Sequence, residues 1–285
     1  MNIFVLSAVT FIPAVLLCFY IYVKDRAEKE PIWLLLLLFF AGAVVYMPAY
    51  YCENLLIGVV DKVFAPYIEF SITGLPQYAS TAAQAGHILS ISLIAIALIE
   101  ELFKWLVLFL ITFKNKNFNS LFDGVVYSVF VAVGFAFVEN VRYGVVDGWD
   151  FFILRTVTNL PAQVTFGVIM GCFYTFWHTY KLAKKHEKNL MSSGKIEQKK
   201  PFKSAPYIVL SFFVPVLLHA VYTFVRDFST SRVAIVLFYV FIVLLYVVCF
   251  VIIHKLSAAD TTDEKTVIRL IRKKYPDIAT SDIKA

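Results

Sequence analysis

The chain has 285 residues, 60% of them hydrophobic, a net charge of +6 and a mean hydropathy of +0.76. Apolar runs of about 20 residues, enough to cross a hydrocarbon core as a helix, follow one another almost end to end and leave no room for a separate soluble domain. Nucleic-acid binding is excluded as the meaning of the positive charge, because the basic residues lie in short loops beside apolar runs rather than on a folded polar face.

Taken in chain order, hydropathy predicts spans near 2–23, 32–51, 86–113, 123–146, 151–180, 205–225 and 231–254. The expected fold is therefore all-α: a polytopic transmembrane bundle of about seven helices over 1–255, followed by a short cytoplasmic tail, 256–285. The first span lacks a basic segment before it and a small-residue cleavage site after it, so it is read as a retained membrane helix. Pro48 and Pro161 fall inside spans, where neighbouring helices can re-satisfy the backbone groups that proline frees. Cys18, Cys52, Cys172 and Cys249 match no ligand or redox spacing, and no internal repeat of the transporter kind is present.

Loop charge sets the orientation. The segments KDRAEKE, KNKN, KLAKKHEKNLMSSGKIEQKKPFK and the tail hold most of the lysines and arginines, which assigns them to the cytoplasm and the N-terminus to the outside. The connections 52–86, 147–150 and 226–232 are lysine-poor and fall outside, where the segment 61–86 is placed to cap or gate a cavity. In the tail, Thr261 and Glu264 form a capping box ahead of Val267, Ile268, Leu270 and Ile271, and Pro276 ends the run. This predicts a short amphipathic helix that anchors the chain or contacts anionic lipid or a partner.

Glu100 and Glu101 in the third span and Glu139 in the fourth stand where the chain is inside the bilayer. A charged residue at the centre of a span costs roughly 2.5–3.5 kcal/mol, so such groups usually face a bundle interior or a wet cavity and mark function. Lys104 lies one helical turn beyond Glu100 and Glu101, within reach of either. Asn140 follows Glu139, Gln163 lies in the fifth span, and His219 is the histidine well within a span; His87, His178, His186 and His254 are at helix ends or in loops. At 1.5 Å per residue, Glu100, Glu139, Gln163 and His219 all fall roughly 10–20 Å below the outer surface. Convergence at one depth is what a hydrated cavity requires. Gly167 and Gly171 read as a helix-packing motif.

Together, KDRAEKEP, Glu100-Glu101-x-x-Lys104, the stretch DGVVYSVFVAVGFAFVEN with Phe135, Glu139 and Asn140, and His219-x-x-Tyr222 resemble the PrsW family of bacterial intramembrane proteases, relatives of the CAAX-processing and bacteriocin-processing membrane proteases. The resemblance implies a multi-pass protein of the bacterial plasma membrane. It would make the first, extracytoplasmic-side cut in a single-pass anti-sigma factor, and so free an envelope-stress sigma factor. The family typically carries a histidine where this chain has Gln163, and glutamine can serve neither as a general base nor as an imidazole-type metal ligand. The departure implies either an inactive or weakened variant, natural or engineered, or a histidine that is dispensable.

On this reading Glu100 activates a water, while Glu101 pairs with Lys104 and holds the helix register. His219 orients the water or protonates the leaving amine, Asn140 donates to the oxyanion, and Glu139 completes the cluster. The alternative chemistry places a divalent metal such as zinc on Glu100, Glu139 and His219, although no HExxH spacing is present. Two other function classes are a proton- or ion-coupled transporter and a non-catalytic scaffold that binds transmembrane segments.

Overall fold

A computed structural model describes residues 3–70, 76–197, 201–228 and 232–284. Parts of the expected outer connections 61–86 and 226–232 and of the basic loop before residue 201 lie outside the described residues. Helices α1 (Ile3–Lys24) and α2 (Ile32–Phe64) lead through a 3-10 turn (Ala65–Tyr67) to a two-stranded hairpin, β1 (Ile68–Phe70) antiparallel to β2 (Pro76–Tyr78). Then come α3 (Thr81–Ser90), a π-helical segment (Ile91–Ala97) and α4 (Leu98–Thr112). Helices α5 (Asp123–Asp147), α6 (Trp149–Ser192), α7 (Ala205–Phe228), α8 (Arg232–Ala258), α9 (Asp263–Lys274) and α10 (Thr280–Lys284) complete the chain.

Among the described residues six helices are long and apolar enough to cross a membrane alone. The remaining expected span, 86–113, is composite: α3, the π segment and α4 run on from one another. A π turn is wider than an α turn and turns up mostly at functional positions. Here it directly precedes Glu100 and Glu101 and resets the direction in which they project.

Helix α5 is the axis of the bundle and is buried over most of its length, packed by α1, α2 and α6, whereas α8 turns most of its surface outward. Small residues allow that close packing. A side-chain carbon on Gly134 of α5 would overlap the Phe39 carbonyl of α2, and one on Gly171 of α6 would overlap the Gly124 carbonyl of α5. Gly167 and Gly171 thus serve the helix contact expected of them. Both α2 and α6 run unbroken through their prolines. Close to Pro161, the Thr158 carbonyl accepts from Tyr246 Oη of α8 at 2.9 Å, a tie from a neighbouring helix.

The ends of α2 and α6 exceed expectation. With 44 residues, α6 measures about 66 Å at 1.5 Å per residue, far longer than the hydrocarbon core. Its C-terminal part carries α9 and α10 through a second small core of Ala183, Leu190, Val267, Ile271, Tyr275 and Ile283. Tyr275 Oη donates to Glu187 at 2.7 Å, and His178 meets Asp263 at 3.1 Å. The apolar face of the tail helix is therefore spent on α6, which favours the anchoring role over contact with lipid.

Candidate active site

The first turns of α4 deliver Glu100, Glu101 and Lys104 to the interior, all three buried. Lys104 Nζ donates to Glu101 Oε1 at 2.6 Å and stands 3.8 Å from Glu100 Oε2. It also lies over the Phe135 ring of α5, 5.0 Å from the centroid. Removing a buried charge's partner is strongly destabilising, and one ammonium placed against two carboxylates lowers that burden for all three.

From α7, His219 reaches the same carboxylate: its Nδ1 is 2.8 Å from Glu101 Oε1, and its ring stacks on Phe166 at 4.8 Å. In the neutral tautomer that donates Nδ1–H to the carboxylate, Nε2 is the accepting nitrogen. That nitrogen lies 4.0 Å from Glu100 Oε2. Two hydrogen bonds of about 2.8 Å meeting at a water at roughly 90–110° span about 4.0–4.6 Å, so the gap has the width of one bridging water.

Gln163 of α6 knots the charges together. Its Oε1 accepts from Lys104, and its Nε2 donates to Glu100 Oε2 at 2.9 Å and to Glu139 Oε2 at 3.4 Å. An amide has both a donor and an acceptor end, and both are used. Glu139 of α5 is further held by an ion pair with Arg155 and by Asn159 Nδ2 at 2.9 Å. Asn140 is fully buried behind Asn159, from which its Oδ1 accepts at 3.4 Å. Its Nδ2 has no partner among the described residues, and it does not line the cavity.

That cavity, of about 220 Å³, is lined by Glu100, Glu139 and His219 together with Asn159, Thr223, Arg226, Arg142 and Tyr143, and on α2 by Tyr50, Glu53 and Asn54. At about 30 Å³ per water it has room for roughly seven. Arg142 lies over the Tyr50 ring at 3.9 Å, while Arg226 pairs with Asp227 at 2.6 Å.

The structure thus brings Glu100, Glu101, Lys104, Glu139, Gln163 and His219 into one hydrogen-bonded cluster, although the spans set them at depths differing by a helical turn or two. Sequence reasoning missed Arg155, Asn159 and Glu53. Arg155 and Asn159 carry a signal, a cation and an amide one turn apart inside an apolar segment. Glu53 carries little, because it stands just past the expected end of its span.

The trio Glu100, Glu139 and His219 was expected to suit a metal, and the donor set tests that directly. Gln163 Nε2, a hydrogen-bond donor, sits against both carboxylates, and Lys104 flanks Glu100. Among the described residues no three His, Cys, Asp or Glu side chains converge as ligands of one ion. This arrangement does not fit a three-ligand metal site.

Comparison with known proteins agrees with the geometry. Residues 30–253 match the model of the PrsW family intramembrane metalloprotease. The chain is 30% identical to the Protease PrsW of Oceanobacillus iheyensis over 257 residues, 90% of this chain and 95% of the relative. It is 29% identical to that of Clostridioides difficile over 273 residues, 94% and 97% of the two chains, and 27% identical to that of Bacillus subtilis over 213 residues, 75% and 78%. No solved structure matches. With a buried carboxylate–histidine cluster in a bundle of apolar helices and a family match across most of its length, the chain belongs to the PrsW family of intramembrane metalloproteases and is a multi-pass membrane peptidase.

Proposed function

We propose that this peptidase cuts a single-pass membrane substrate on its extracytoplasmic side, with water activated between Glu100 and His219. The observation that supports this most is the 4.0 Å separation of Glu100 Oε2 and His219 Nε2 at the wall of a polar cavity. Glu100 takes one proton of the bridging water as the oxygen attacks the peptide carbonyl carbon, and His219 Nε2 accepts a hydrogen bond from the second hydrogen. When the C–N bond breaks, Glu100 returns its proton to the leaving nitrogen. Glu101 holds the histidine ring and Lys104, Gln163 holds Glu100 and Glu139 in place, and Asn140 fixes Asn159. The oxyanion role expected of Asn140 gains no support from a position behind the cavity wall.

The substrate class rests on resemblance. An anti-sigma factor, cut first on its outer side to release an envelope-stress sigma factor, is the class implied, and an outer-half cavity suits such a cut because water and an unwound segment can both reach it. In this reading Gln163 is a working part of the cluster rather than a defect. In reconstituted protein the expected result is cleavage of a single-pass substrate, with turnover abolished by Glu100→Gln in protein that remains folded. Unchanged turnover in that variant removes Glu100 from its role.

The family description supports a second reading, a metal-dependent reaction. Zinc in such a site supplies a Lewis acid and an activated water. It needs Gln163 and Lys104 to swing away from the carboxylates. Stoichiometric metal in the purified protein, with activity lost on chelation and regained on metal addition, selects it over the metal-free route.

A further inference from the structure

Hydrolysis inside a bilayer first requires the substrate helix to unwind, and unwinding frees main-chain N–H and C=O groups that lipid cannot satisfy. Each such group, left without a partner, is costly, so a protease that opens helices needs groups that receive a bare main chain. Two side chains of the cavity are free for this task and have no part in the chemistry above. Glu53 of α2 and Thr223 of α7 both line the cavity, and Glu53 Oε1 and Thr223 Oγ1 are buried without a partner among the described residues.

The state of Thr223 departs from that of other helical threonines here. Thr112, Thr156, Thr158 and Thr165 each donate to the carbonyl four residues earlier, at 2.6–2.9 Å. Thr223 makes no such bond although it sits inside α7, one turn from His219. Thr10 and Thr179 also lack partners, but neither lines the cavity. The two groups stand on different helices, α2 and α7, that both pack on the π segment and α4. Their chemistry suits a main chain: the carbonyl-type oxygen of a carboxyl group accepts from N–H, and a hydroxyl also donates to C=O.

Resting on the peptidase reading, we propose that Glu53 and Thr223 are positioning residues that hold the unwound main chain of the substrate beside the Glu100–His219 pair. Recognition of this kind is indifferent to substrate side chains at the held positions and selects segments that unwind readily.

The test uses a synthetic single-pass substrate in which successive amides near the cut are replaced by esters, removing one N–H at a time. Binding is read on full-length protein carrying Glu100→Gln, and cleavage on protein with Glu100 intact. Glu53→Ala and the isosteric Thr223→Val should each weaken binding about three- to tenfold, the scale of one hydrogen bond, and raise KM more than they lower kcat. Glu53→Gln, which keeps an accepting oxygen, should restore most of the loss. One ester position should weaken binding to the parent protein and leave binding to Glu53→Ala unchanged. The proposal is overturned if binding ignores both substitutions, if ester and Glu53→Ala losses add at every position, or if the Glu53 effect tracks a basic side chain of the substrate. If Glu53→Ala does not fold, Thr223→Val and Glu53→Gln decide. Failure of the peptidase reading shows differently, as substrate that is bound but never cut.

Discussion

Two groups of buried and half-buried carboxylates stand at opposite ends of the bundle. At the end that loop charge assigns to the cytoplasm, Asp260 Oδ2 accepts from the backbone N–H groups of Arg26 and Ala27 at 3.0 and 2.8 Å, and its Oδ1 from that of Phe122 at 3.1 Å. Asp123 accepts from the N–H groups of Asn119 and Ser120 at 2.8 and 2.7 Å, and Tyr127 Oη donates to Glu30 at 2.6 Å. These acids staple the α1–α2, α4–α5 and α8–α9 connections together, and, one Asp25 oxygen apart, their bonds run to loop backbone, the Ser120 hydroxyl and a tyrosine. The outer group instead holds Lys104, Arg155 and His219 among its acids, leaves oxygens of Glu53 and Glu101 without partners, and opens onto a cavity. Burial of acids alone therefore does not mark chemistry. Cationic partners and unspent oxygens do so only together with room for water, since Asp263 at the tail also meets His178 and leaves Oδ1 without a partner among the described residues but does not line the cavity.

The sharpest way to break this contrast is Glu101→Gln. An amide in place of the carboxylate can still accept from Lys104 and His219 but loses the negative charge that pairs them, and turnover should fall about 10²- to 10⁴-fold, the range of general acid–base contributions. A loss below twofold in kinetic assays would make Glu101 merely structural. Next in size, Arg155→Met leaves buried Glu139 without its ion-pair partner and should cost about 3–5 kcal/mol in unfolding measurements. Adding Glu139→Gln should recover most of that, whereas additive losses would show that the pair is not coupled.

The cytoplasmic staple should respond in stability alone. Asp260→Ala strands three loop N–H groups and should cost about 1–3 kcal/mol, with turnover of the folded protein at low temperature unchanged. A selective loss of kcat would blur the contrast. The smallest effect is pH dependence. Burial first, then Asp123 and Asp260, pushes Asp25 up to about 7, and burial with Asp123 beside it pushes Glu30 up to about 8. Unfolded carboxylates titrate near 4, so the native state holds extra protons in between, and the stability they bring is present at low pH and lost as pH rises through about 7 and 8. Apparent Tm should drop from pH 6 to pH 9, and Asp25→Asn should flatten that slope; an identical slope would contradict the assignment.

Much of this was legible in the sequence for a physical reason: lipid forces apolar runs and charge-marked loops into the one-dimensional pattern, and it makes Glu100, Glu101, Glu139 and His219 conspicuous. What pairs with what was not legible. Glu101 shares its oxygen with a histidine 118 residues away, and Arg155 meets Glu139 across two helices, relations that no local spacing encodes. The π segment was hidden because its apolar residues read as ordinary helix. Glu53 escaped because α2 continues past the hydrocarbon core, where a carboxylate is unremarkable by composition.

The most direct measurement is the mapped cleavage site of a single-pass substrate in proteoliposomes of known orientation. A cut at the extracytoplasmic end of the substrate's membrane segment, present with the parent protein and gone with folded Glu100→Gln, is the result this account predicts. A cut on the cytoplasmic side, or one that survives loss of the Glu100 carboxylate, would contradict it.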